Sequence, residues 1–151
     1  MFGDISMRKT DARIRYTQRA LKESFLQLLK QKPVSQITVK EVCDLAELNR
    51  ATFYAHYSNC FALLESIEQE LLGAFRESLK MVDSLDVTAL IEAIYTMVEP
   101  HEDACRVLIF QGASISVLPR MIDLARSESI VYWKQKLRRA TDAEMEMLYT
   151  H

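Results

Sequence analysis

Apolar residues recur along this chain at helical spacing, with few breaks between the runs. Over residues 10–30, Ile14, Leu21, Phe25, Leu28 and Leu29 fall on one face, while Arg15, Arg19, Lys22 and Gln27 lie largely elsewhere. That spacing predicts an amphipathic helix. Thr10 or Asp11 is placed to cap its start, where a side-chain oxygen satisfies free N–H groups of the first turn. Residues 1–7 read as a loose arm, and Pro33 stops the helix. Thr38 followed three residues later by Glu41 is the spacing of a capping box, so a short helix begins there with Val39, Val42, Cys43 and Ala46 as its apolar face. Glu47-Leu48-Asn49 makes a tight connection, and Asn49 is placed to cap a second short helix over 50–56. Ser58 or Asn59 starts a long helix that turns Leu63, Leu64, Ile67, Leu71, Leu72 and Phe75 inward. Further helices are predicted over 87–98, closed by Pro100, over 101–110, ended near Gly112, and over 122–139. Thr141 or Asp142 is placed to cap a last one.

Composition narrows this to an all-α fold. The 151 residues hold only three Gly and three Pro, too little punctuation for a chain of short strands. No repeat, low-complexity segment or Gly/Ser linker separates the parts. The long helix from about Ser58 therefore joins an N-terminal head, residues 1–57, to a helical C-terminal body, residues 58–151. The formal net charge is −2, which does not point to nucleic acid, but its distribution does. Residues 1–57 carry ten Lys/Arg against six Asp/Glu, and residues 58–151 nine against fifteen. A basic head on an acidic body presents one end to phosphates. Cys43, Cys60 and Cys105 have no paired spacing, which argues for free thiols in a reducing compartment. With no signal pattern and no apolar run of membrane-spanning length, a cytoplasmic location is expected.

The two short helices behind a longer one follow the helix-turn-helix plan, in which the first fixes the second so that its side chains enter the major groove. Ala46 is small enough for the two axes to approach, and Leu48 and Phe53 supply a shared core. On the second helix, Arg50 suits guanine edges or phosphates, and Thr52 a base edge or thymine methyl. Tyr54 and His56 are placed to donate to phosphate oxygens, while Ala51 and Ala55 keep the surface low. Thr38 and Lys40 would grip the flanking backbone, and Arg8, Lys9 and Arg13 are candidates for further phosphate contacts.

The run Ile37-Thr38-Val39-Lys40-Glu41-Val42-Cys43-Asp44-Leu45-Ala46-Glu47-Leu48-Asn49-Arg50-Ala51-Thr52-Phe53-Tyr54-Ala55-His56-Tyr57, followed by Leu63-Leu64, resembles the DNA-binding domain of the TetR/AcrR family. The resemblance covers about residues 10–72. It implies DNA contact by Thr38, Arg50, Thr52, Tyr54 and His56, and mainly packing for Phe53 and Tyr57. With Lys40, Asn49, Ala51 and Tyr57, these residues make up the expected DNA-binding set. Many members carry Lys where this chain has Cys60, so a weaker grip on phosphate is expected there. The resemblance further implies a homodimer on an inverted-repeat operator, repression, and a C-terminal domain that takes a small-molecule or protein effector. Around Cys105–Ile109 and residues 144–149 the body is similar to the branch that includes dihydroxyacetone-kinase regulators. By that comparison the last two helices of the dimerisation module would follow His151.

His101 and Cys105 are four apart, but a metal site needs further ligands that the spacing does not supply. Met81, Met97, Met121, Met145 and Met147, with Tyr95, Phe110, Tyr132 and Trp133, suit either an adaptable pocket or ordinary core. No nucleophile–base set, phosphate-cradling Gly loop or carboxylate pair points to an enzyme, and no cofactor is implied. The alternative function is a helical protein–protein module that has kept the head without reading DNA.

Overall fold

The computed structural model describes the backbone of residues 2–82 and 87–149, and all its regular elements there are helical. In chain order they are α1 (Phe2–Leu29), α2 (Val39–Ala46), α3 (Arg50–Tyr54), α4 (Cys60–Lys80), α5 (Val87–Val98), α6 (Glu102–Ala104), which runs on into a π-helical turn (Cys105–Phe110), and α7 (Val117–Tyr149). Short 3-10 turns precede α2 and α6. The chain forms two compact units. One holds α1 to α3, α4 up to Leu71, and residues 101–115; the other holds α4 from Leu72, α5 and α7.

In the first unit α1 packs on α2 and α2 on α3. Leu21, Phe25, Val42, Phe53, Leu63, Leu71, Val107 and Leu108 are sealed from solvent. Apolar burial on this scale, at about 1.5–3 kcal/mol per large side chain, is the main force ordering the short helices. The inner stripe of α1 runs through Thr17, Leu21, Phe25, Leu26 and Leu29, whereas Ile14 is 39% exposed. None of residues 5–16 is buried, so the packed part of α1 begins at Thr17. Buried Glu68 accepts a hydrogen bond from the Ser114 hydroxyl within the same unit. Gly112, at φ 69°, allows the backbone to leave the π-helical turn in a left-handed conformation.

Helix starts and ends follow local chemistry. Thr38 caps α2 with its side chain, and the reciprocal Glu41 bond completes the capping box. Asn59 caps α4 by accepting from the Ala62 N–H at 2.9 Å. Two expectations are corrected. Helix α1 starts at Phe2, not near Thr10, and the Thr10 hydroxyl instead donates to the Ser6 carbonyl at 3.0 Å. A threonine can make this bond to the preceding turn without ending a helix. At the other end α7 continues through residues 141 and 142, so no separate helix begins there. Neither Gly nor Pro interrupts residues 120–149 to force a break. Pro119 falls in the first turn, where its missing N–H would have no intrahelical acceptor. The side chains of Met145 and Met147 lie outside the described residues.

The second unit has a small core of Leu72, Phe75, Ala93, Met97, Val117 and Met121. Among the described residues no helix is long and apolar enough to cross a membrane.

One backbone feature of the first unit is strained. Glu47, the residue that ends α2, sits at φ 55°, ψ 40°. That left-handed conformation costs a side chain bearing a Cβ about 1–2 kcal/mol, which glycine avoids. Glu47→Gly is therefore expected to raise stability by about 0.5–1 kcal/mol after the extra entropy of glycine in the unfolded chain is counted. Urea unfolding monitored by circular dichroism measures this; a loss of stability would contradict the account.

Candidate nucleic-acid interface

Helix α3 has only five residues, far below the length at which a helix holds itself in water. Its order comes from both ends. Asn49 Oδ1 accepts from the Thr52 backbone N–H at 2.8 Å and from the Thr52 hydroxyl at 2.8 Å. The Asn49 carbonyl accepts from the Phe53 N–H at 3.3 Å and, weakly, from the Cys43 thiol at 3.8 Å. Phe53 is completely buried, with the Tyr54 ring edge-on at 5.5 Å and the Tyr57 ring tilted at 5.8 Å. The connection from α2 is closed by the Leu48 N–H donating to the Cys43 carbonyl at 3.0 Å. Cys43 thus touches both the turn and the cap, and burial pushes its thiol up, as it does those of Cys60 and Cys105. Buried thiols held in the neutral form are poor nucleophiles.

This frame sorts the sequence-predicted residues into two groups. Arg50 and Tyr54 are exposed, stand one helical turn apart on the same face, and have no side-chain hydrogen bond or ion pair within the chain's described residues. Ala51 and Ala55, also exposed, leave the adjacent surface low. His56 is half-buried, its ring 6.2 Å from that of Tyr57. The second group is engaged internally. Asn49 and Thr52 share the cap described above. The Thr38 hydroxyl donates to Glu41 Oε2 at 2.9 Å while accepting from the Glu41 N–H at 3.3 Å. Lys40 Nζ lies 2.6 Å from Asp44 Oδ2, so its charge is neutralised locally. Tyr57 is only 8% exposed, and its buried hydroxyl has no hydrogen-bond partner among the described residues. Its ring therefore serves packing, not surface contact. Cys60, at the first turn of α4, is likewise buried.

One participant is not legible in the sequence. Lys32, nine residues before Glu41, donates to Glu41 Oε1; no local spacing rule links those positions. Elsewhere in this unit, an open depression bounded by Arg15, Arg19, Lys22, Glu23, Leu26 and Glu70 is occupied by the Arg19–Glu23 and Lys22–Glu70 pairs. Among the described residues no three His, Cys, Asp or Glu side chains converge to hold a metal ion.

Helix α3 thus presents Arg50 and Tyr54, neither with a side-chain hydrogen bond or ion pair among the described residues, with the exposed Ala51 and Ala55 beside them. Over 99 residues, 61% of this chain, the sequence is 31% identical to the uncharacterized HTH-type transcriptional regulator YxbF of Bacillus subtilis (strain 168). The matched region is 26% of that protein, so the chain spans about a quarter of the curated relative it resembles. No protein-family model matches the chain.

The Glu41 carboxyl is held at about 2, well below its ordinary value of 4.5. The Lys32 hydrogen bond contributes most, followed by the Thr38 N–H and hydroxyl. A carboxyl lowered in the folded state contributes stability that is fully present above its unfolded value and lost as pH falls through its folded value. The capping box should therefore hold from neutral pH down to about 4.5 and weaken towards about 2. Carboxyl-detected NMR should place the Glu41 midpoint near 2, and Lys32→Met should move it upward. A wild-type midpoint near 4.5 would contradict the network.

Proposed function

We propose that α2 and α3 form a helix-turn-helix of TetR/AcrR type and that the chain is a sequence-specific transcriptional regulator, a repressor, acting on duplex DNA in the cytoplasm. The observation that carries this reading is the exposure of Arg50 and Tyr54 on one face of a capped helix, with no side-chain hydrogen bond or ion pair among the described residues. Their donors are available to an outside acceptor at little reorganisation cost. The likeness to an HTH-type transcriptional regulator supports the same reading.

In this reading α3 lies in the major groove. Arg50 bonds a guanine edge or a phosphate, and the Thr52 methyl meets a thymine methyl. Tyr54 and His56 donate to phosphate oxygens, and Ala51 allows close approach. Thr38, Lys40 and Asn49 position the head against the backbone, Lys40 exchanging Asp44 for phosphate when DNA arrives. Residues 1–57 form the reading head, and residues 58–151 carry effector binding and dimerisation. Two heads in a homodimer read an inverted repeat, and a small molecule or protein bound to the body shifts their match to the half-sites. The chain works by binding, without a cofactor and without turnover.

A second reading, a helical protein–protein module, is favoured by two observations: Lys40 is neutralised by Asp44, and Cys60 is buried at the phosphate-facing position of the resemblance. Selection from a random duplex library separates the two. The regulator should enrich an inverted repeat, and Arg50→Ala should weaken the selected site by about 1–3 kcal/mol and relax the preference at one position in each half. Failure to enrich any sequence, with equal retention by the Arg50→Ala/Tyr54→Ala double variant, would favour the protein–protein module.

A further inference from the structure

Helix α1 continues well beyond the part of it that packs. It is helical from Phe2 to Leu29, yet none of residues 5–16 is buried. These residues make about three turns of helix, propagated from the packed stretch that begins at Thr17. The basic excess of the head is concentrated in this extension. Residues 1–19 hold five Lys/Arg against two Asp/Glu, and residues 20–57 hold five against four. In the second set most of the positive charge is matched locally: Lys22 pairs with Glu70, Lys30 with Asp103, Lys32 with Glu41 and Lys40 with Asp44. Arg50 is left. In the first set Arg19 pairs with Glu23, and Arg8 is engaged within the chain. Lys9, Arg13 and Arg15 are exposed and have no ion pair among the described residues. Helices α2 and α3 therefore offer a polyanion little net attraction, and the extension offers most of what the head has.

The character of the extension decides what it can hold. Long side chains that no neighbour braces do not keep their donors in the geometry that reading a base edge demands. They suit phosphate oxygens, which accept from many directions. Lys9, Arg13 and Arg15 are also spread over about 160° of the helix, so they form no single row with a fixed register. A membrane surface is a poorer match. Ile5 and Tyr16 are exposed on roughly the opposite side of the helix from Met7 and Ile14. That arrangement gives no continuous apolar face, which a helix lying in a bilayer interface needs. The extension belongs to the same compact unit as α3. Duplex DNA, the partner proposed for α3, is therefore the polyanion to which this charge is applied.

We propose that the unpacked first half of α1 is a sequence-independent duplex-binding arm. Lys9, Arg13 and Arg15 engage phosphates and supply most of the salt-dependent affinity, while α3 supplies discrimination. The choice of duplex DNA as the partner rests on the regulator reading; the division of labour between the two helices goes beyond it.

Fluorescence anisotropy of the whole chain on a random-sequence duplex, at salt concentrations from about 50 to 200 mM, tests this. The key variant is Lys9→Ala/Arg13→Ala/Arg15→Ala. Alanine favours helix and no buried contact is lost, so circular dichroism should show the helix content kept. The slope of log affinity against log salt should become shallower by about 2–3 per bound chain, and affinity at about 50 mM salt should fall about tenfold or more. Lys134→Ala/Arg138→Ala/Arg139→Ala removes the same charge from α7 and should keep the wild-type slope. A wild type that ignores the random duplex at about 50 mM salt, an α1 variant with the wild-type slope, or an α7 variant that loses as much would each overturn the proposal. So would retention on phosphatidylglycerol vesicles in place of the duplex. The regulator reading fails separately. A chain that selects an inverted repeat while its slope ignores the α1 variant keeps that reading and loses the arm. A chain whose random-duplex binding needs the arm, but which enriches no sequence, keeps the arm and loses the reading.

Discussion

What α3 can do depends on the Asn49 side chain accepting the Thr52 amide, because five residues cannot nucleate and hold a helix by themselves. The cap supplies one missing acceptor at the N-terminus, and burial of Phe53 supplies the apolar anchor. Cys43 couples this helix to α2 through the carbonyl that receives the Leu48 N–H and the thiol that reaches the Asn49 carbonyl. In turn, α2 is held by the Thr38–Glu41 box and the Lys32 contact. The result is a chain of local bonds that fixes the direction of two outward side chains.

Economy of donors follows from that construction. Residues whose hydroxyls and amides build the frame have less left to offer outside. Thr38 and Thr52 each donate their hydroxyl inward, and Lys40 is matched by Asp44. Arg50 and Tyr54 are under no such obligation. In the proposed reading, discrimination by this surface falls on few groups, while the framing residues act on affinity indirectly, through the orientation of α3.

Much of this was legible in the sequence where the signal is local. The Thr38–Glu41 spacing, Asn49 ahead of a short helix, and the Leu63, Leu64, Ile67, Leu71 stripe all correspond to observed caps and core. Helix 87–98 has the extent its pattern predicts. Features set by distant or weak forces were not legible. The Lys32–Glu41 contact joins positions that only the fold brings together, and Glu47 takes a left-handed conformation that its side chain does not announce. Thr10, Thr141 and Asp142 look like caps because their side chains can cap, yet with no helix breaker beside them the helix runs through each. Tyr57, expected mainly to pack, is buried; position alone does not say whether a tyrosine beside an exposed helix face turns inward or outward.

Asn49 builds the frame of α3, and its neighbour Arg50 is the proposed reading residue; the direct test compares them. Thermal unfolding and duplex binding should be measured on Asn49→Ala and Arg50→Ala side by side, using the selected operator. The account predicts that Asn49→Ala lowers stability by about 1 kcal/mol and weakens binding as a consequence. Arg50→Ala should leave stability within about 0.5 kcal/mol of wild type while weakening binding about tenfold or more. An Arg50→Ala variant that loses as much stability as Asn49→Ala, or that binds the duplex like the wild type, would contradict it.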